Sequence, residues 1–143
     1  MNAKQYLEQL EVLDSRIQVN RELLQEKRLN AKGGGAIRYD KDPVQVSLVD
    51  SKVERQVVDI VSLEQTIEQE IKDYENAKQK VIEQIKGLDD AEYILILFKV
   101  YVQYKGVSEA ADEMGRHYNT IKKKHKQALN EFEQKYKPLK RLP

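Results

Sequence analysis

The sequence predicts an all-α protein: a long antiparallel helical hairpin of coiled-coil type, followed by a small C-terminal helix-turn-helix domain. Three observations carry this. Only six Gly and three Pro occur in 143 residues, too few for the turn every ~8–12 residues that an all-β chain needs. Apolar side chains recur at heptad spacing over two long stretches. Charged residues make up 34% and aromatic ones 7%, too polar for one large compact core but too regular in pattern for disorder. The expected division places the hairpin at residues 1–87, with a Gly-rich loop at 33–51, and the helix-turn-helix domain at 88–143.

Several classes are excluded at this level. With no cysteine there is no disulfide scaffold, thiolate metal site or Cys nucleophile, which suits a reducing cytosol. The longest apolar run, Tyr93 to Phe98, is far short of the ~20 residues that span a membrane. Lys4, Glu8 and Glu11 interrupt the first turns, where a secretory leader would be apolar. A soluble cytoplasmic protein without a membrane partner is expected.

The first helix is expected over residues 2 to about 32. Ala3, Leu10, Ile17, Leu24 and Ala31 form one heptad series, with Tyr6, Leu13, Asn20 and Lys27 at the companion positions. Gly33-Gly34-Gly35 is expected to stop it, and Pro43 to act as a second breaker in the loop that follows. The glycines lack the Gly-Lys-Ser/Thr of a phosphate loop and read as a turn. The second helix is expected over 52 to about 86, on Val53, Ile60, Ile67, Tyr74 and Val81 with Val57, Glu64, Ile71, Lys78 and Ile85. Narrow stripes on long helices must be buried against a partner. Folding one helix back on the other, about 45 Å along the axis at 1.5 Å per residue, can pair positions whose numbers sum to about 84. That register sets Leu24 near Ile60, Ile17 near Ile67, Leu13 near Ile71 and Leu10 near Tyr74, with polar Asn20 facing Glu64. Pairing between two chains, as in a homodimer, uses the same stripes.

Gly87 is expected to end the second helix, and Asp89 or Asp90 to cap the third. Ile94, Leu95, Leu97, Phe98, Tyr101 and Val102 then form a broad apolar face over 91–103. Composition alone also allows a strand; the length and the helical neighbours favour a helix, the core of the C-terminal domain.

The stretch Val107 to Ile121 has the spacing of a helix-turn-helix. Ser108 is the expected N-cap, Ala111 is small enough for a close helix crossing, Gly115 permits a left-handed turn, and Ile121 locks the second helix onto the first. His125, Ala128, Leu129 and Phe132 continue the buried face. Residues 115–143 hold nine Lys/Arg against two acids, Glu131 and Glu133, a net +7, so the other 114 residues carry −6. A basic end on an acidic body points to double-stranded DNA as the partner. On the outward face and in the turn, Arg116, His117, Asn119, Thr120 and Lys123 are the expected base-contacting residues, since Asn suits adenine and Arg or Lys suit guanine. Lys122, Lys124 and Lys126 are the expected phosphate contacts. Lys124 stands where such a motif has a half-buried apolar residue, so its stem is expected to pack while its ammonium reaches solvent. His117 and His125 are eight apart without Cys or carboxylates at ligand spacing, so neither a metal nor a cofactor is expected. No Ser/His/Asp arrangement or carboxylate pair suggests an enzyme.

The opening Asn2-Ala3-Lys4-Gln5-Tyr6-Leu7, the middle Ser51-Lys52-Val53 through Ile60-Val61-Ser62-Leu63-Glu64, and the closing helix-turn-helix resemble a family of small proteins encoded by phages and prophages of Gram-positive bacteria. The family is related to the ArpU- and RinA-type late-gene regulators, and its C-terminal domain is similar to region 4 of sigma factors. The resemblance implies a transcriptional regulator, an activator of phage late genes, acting in the host cytoplasm on DNA and touching the host RNA polymerase. The run Lys122-Lys123-Lys124 departs from the Arg, Tyr and apolar mixture expected there. Two other classes fit the same pattern: a DNA-packaging component like a small terminase subunit, and a coiled-coil adaptor with a basic tail.

Overall fold

A computed structural model gives the backbone of residues 1–35 and 43–143, and the side chains of residues 1–31 and 51–143. Among these the secondary structure is entirely helical: α1 (Ala3–Gly35), α2 (Pro43–Lys86), α3 (Ala91–Leu97), a π-helical turn (Phe98–Val102), α4 (Val107–Met114) and α5 (Tyr118–Tyr136). No helix among the described residues is long and apolar enough to cross a membrane.

Four local expectations are corrected. The triple glycine does not stop α1, which continues through Gly35. Pro43 starts α2 instead of breaking the chain; the first helical position needs no N–H donor, and its φ suits proline. The expected loop is thereby shortened from both sides, and its residues 36–42 lie outside the described ones. Gly106, not Ser108, is the N-cap of α4. The third apolar segment is not one α-helix but α3 followed by the π-turn, in which Gln103 N–H donates to the Phe98 carbonyl at 3.0 Å. Within α3 itself Ile96, not counted in the expected apolar face, is fully buried, whereas Leu95 is 46% exposed.

By contact density the chain forms two compact units, one of Met1–Asp14 with Asp73–Pro143, the other of Ser15–Lys72. In the second unit α1 and α2 run antiparallel. Asn20 Nδ2 donates to Glu70 Oε1 at 2.6 Å, and Arg28 pairs with Glu64 at 3.0 Å. The expected register, with Asn20 facing Glu64, is therefore displaced by about one heptad. Apolar periodicity is blind to that displacement, because a seven-residue repeat matches itself after every seven. The polar partners decide it, giving Asn20 a carboxylate and Glu64 a guanidinium. Leu24 and Ile67 are buried in this unit, while Val53 and Val57, expected in the stripe, are exposed.

In the first unit the ends of both long helices join the C-terminal segment in one core. Ala3, Tyr6, Leu7 and Leu10 of α1 meet Ala77, Val81 and Ile85 of α2, with Leu97, Tyr101, Val102, Ala128 and Phe132 completing the cluster. Phe132 is fully buried, its ring 5.9 Å from Tyr6 and 4.9 Å from Tyr136. Burying a Phe contributes about 1.5–3 kcal/mol. An exposed ion pair such as Lys4–Glu8 at 4.0 Å contributes under about 1 kcal/mol. Apolar burial therefore positions α5.

The polar atoms of this core are paired among themselves. The Tyr6 hydroxyl donates to Gln84 Oε1 at 2.7 Å, and the Tyr136 hydroxyl to the Gln84 carbonyl at 2.6 Å. Gly87 makes room for that second bond, since a Cβ there would meet the Tyr136 oxygen. Tyr104 adopts a left-handed φ of 59°, a conformation a bulky residue takes only when its surroundings fix it. Here its hydroxyl donates to the Leu10 carbonyl at 3.4 Å and stands 2.7 Å from the Tyr74 hydroxyl. No buried side-chain polar atom among the described residues lacks a partner.

His125, expected as a core residue, stacks on Tyr101 with ring centres 5.6 Å apart, and its Nε2 lies 2.8 Å from the Tyr101 hydroxyl. Burial holds the imidazole below its ordinary value near 6.5, and the Lys4 charge adds to this; burial pushes the Tyr101 phenol up.

Two tests follow from these contacts. In a chain with no native cysteine, Asn20→Cys with Glu70→Cys should oxidise to a crosslink, whereas Asn20→Cys with Glu64→Cys should not. Six residues of helix displace the second pair by about 9 Å, beyond disulfide reach. A crosslink in the second pair alone would restore the register expected from periodicity. For His125, the folded protein resists a proton that the unfolded chain accepts, so its contribution is complete above about pH 6.5 and declines as the pH falls below that. Thermal melts from about pH 7.5 to about pH 5 should show a smaller loss of Tm in His125→Gln than in the parent. Parallel losses would show that His125 is not the titrating group.

Candidate nucleic-acid interface

The site is built on the passage from α4 to α5. α4 ends at Gly115, whose φ of +65° is left-handed. Gly115 N–H donates to the Asp112 carbonyl at 3.2 Å, and Arg116 N–H to the Ala111 carbonyl at 2.9 Å. This paired closure satisfies the last carbonyls of a helix and reverses the chain direction. Glycine is required by the torsion, since a Cβ here would meet no atom within 4 Å. α5 then opens with His117, whose Nδ1 accepts from Asn119 N–H at 3.2 Å. This side-chain cap fills one of the free N–H positions of the first turn.

Ala111 and Ile121, the residues expected at the crossing and the lock, are both buried. They form a small cluster with Ile96, flanked by Val100, Val107 and Met114. Glu113 on α4 accepts from Lys99 at 2.8 Å and pairs with Lys105 at 2.6 Å, and these ammonium groups hold its carboxyl below the usual range. The ammoniums thereby tie α4 to the π-turn and the residues after it.

With Ile121, Ala128 and Phe132 inward, helical geometry sets Asn119, Lys123 and Lys126 along the opposite side at i, i+4 and i+7. All three are exposed, as are Lys122 and Thr120. Lys122, Lys123 and Lys126 have no carboxylate partner among the described residues. An exposed strip of free ammonium groups and an amide can bind a polyanion and hydrogen-bond planar acceptors and donors.

The remaining two cations are placed differently. Arg116, in the turn, and Lys124, on α5, both pair with the carboxylate of Glu92 in the first turn of α3. The Lys124 and Arg116 contacts lower the Glu92 carboxyl. The Lys124 side chain is half-buried, in line with a packed stem. Beside it the Tyr93 hydroxyl donates to Gln127 Oε1 at 3.0 Å. The eight expected contact residues thus divide into three groups. Asn119, Thr120, Lys122, Lys123 and Lys126 are exposed without an ion pair; Arg116 and Lys124 are joined through Glu92, and His117 caps α5.

Glu92 is the residue that sequence reasoning missed. It reads as one of several acids at a helix start, and its partners lie 24 and 32 positions away. Tyr118, 44% exposed in the first turn of α5, was likewise not singled out. Among the described residues, no group of three or more His, Asp or Glu is placed to hold a metal ion. Compared with protein-family models, with curated proteins and with solved structures, the chain finds no match.

Proposed function

We propose that the chain is a sequence-specific DNA-binding regulator of phage transcription, in which α4, Gly115 and α5 act as a helix-turn-helix with α5 entering the major groove. The observation that carries this reading is the division of α5 into a buried row, Ile121, Ala128 and Phe132, and an exposed row, Asn119, Lys123 and Lys126. The left-handed Gly115 supports the turn such a motif needs. Base reading falls to Asn119, Thr120 and Lys123, with Arg116 and His117 at the groove edge. Lys122 and Lys126, with Lys124 beside them, face the phosphates. The antiparallel α1–α2 pair is the helical hairpin of this reading. The exposed Val19, Leu23, Leu29, Val57, Val58 and Val61 of the Ser15–Lys72 unit suit self-association or contact with the host polymerase.

The test is selection of bound fragments from a phage genome, followed by affinities for the selected and a random duplex across a salt series. A specific regulator keeps a gap of about 4–10 kcal/mol between the two. Asn119→Ala and Lys123→Ala should each narrow it by about 1–3 kcal/mol. Lys126→Ala should weaken both duplexes alike and flatten the salt slope by about 0.9. Equal losses from all three variants on every duplex, or no binding by the parent, would overturn the proposal.

A further inference from the structure

Two of the cations expected at DNA share one carboxylate. Glu92 bridges Arg116 in the turn and Lys124 on α5, so the three side chains together carry one positive charge in place of two. Arg116 is half-exposed and Lys124 is 31% exposed, and their partner lies on α3, outside the two helices of the motif. For a phosphate to take either cation it must displace a carboxylate already bonded to it. It must also approach the negative charge that remains. The free lysines Lys122 and Lys126 meet no such competition.

We propose that Glu92 is a specificity-determining residue: its carboxylate withholds Arg116 and Lys124 from the phosphate backbone, lowering sequence-independent affinity while holding the Arg116 guanidinium in one orientation beside the recognition helix. The inference rests on the DNA-binding reading and narrows its phosphate set to Lys122 and Lys126. Backbone attraction is sequence-independent, so withholding two cations lowers affinity for every duplex alike, and the gain in discrimination comes from the held Arg116 guanidinium. A planar guanidinium fixed by a carboxylate presents its remaining N–H groups in a set direction.

The experiment measures binding of the full chain to a random duplex and to the selected duplex over a salt series. Glu92→Gln keeps the shape of the side chain and removes its charge. The slope of log affinity against log salt on the random duplex should steepen by up to ~1.8, two phosphates at about 0.9 each, and the ratio of selected to random affinity should fall because Arg116 loses the carboxylate that orients it. In the otherwise native chain, Lys124→Gln should leave the random-duplex slope unchanged, whereas Lys126→Gln should flatten it by about 0.9. The Lys124 comparison keeps the inference open to refutation if Glu92→Gln fails to fold. An unchanged slope in folded Glu92→Gln, or a Lys124→Gln loss equal to that of Lys126→Gln, would overturn it. If the native chain binds no duplex, the DNA-binding reading itself fails, an outcome distinct from either.

Discussion

The placement of α5 depends on its inner row. Ile121 is buried against Ala111 of α4 and Ile96 of α3, and Phe132 is held between Tyr6 at the start of α1 and Tyr136 one turn on. Once these side chains are inside, the 3.6-residue period leaves no freedom about which residues face outward. The row Asn119, Lys123 and Lys126 is solvent-facing because the alternate row cannot be. The lysines do not hold the helix; the helix holds the lysines.

The same constraint ties distant parts of the sequence together. The first turns of α1 and the last turns of α2 belong to the core that carries α5. Gln84 collects the hydroxyls of Tyr6 and Tyr136, on its side chain and its carbonyl respectively, beside a glycine that leaves room for the second. At the chain's far end Leu142 is buried, and its N–H donates to Gln9 Oε1 at 2.8 Å. Disturbing either terminus therefore disturbs the support of α5, although neither touches the exposed strip.

Some local signals were legible in the sequence, though not the ends of α1 and α2 or the cap of α4, and long-range ones were not. The spacing of Ala111, Gly115 and Ile121 carries its meaning within eleven residues, because a small side chain, a left-handed torsion and an aliphatic lock act on adjacent helices. The cap at Asp90 was legible for the same reason: its Oδ1 accepts from Glu92 N–H at 2.8 Å, two residues on. The α1–α2 register was not, because a heptad pattern repeats after seven residues and only Asn20–Glu70 and Arg28–Glu64 distinguish the alternatives. The π-turn escaped because an apolar run reads alike in either helix type. Glu92 escaped because a charge pattern gives the number of cations in a segment but not which of them already have a partner.

A helix that is apolar within and cationic without, entered through a left-handed glycine, accounts for the proposed recognition of DNA; the acid on α3 tempers its cationic side. The claim that this outer row meets the nucleic acid is tested most directly by following the backbone amide resonances of the isotope-labelled chain as the selected duplex is added. The account predicts the largest shifts at 116–126, strongest at Asn119 and Lys123, with 52–72 little changed. Shifts centred on 52–72, with 116–126 unmoved, would contradict it.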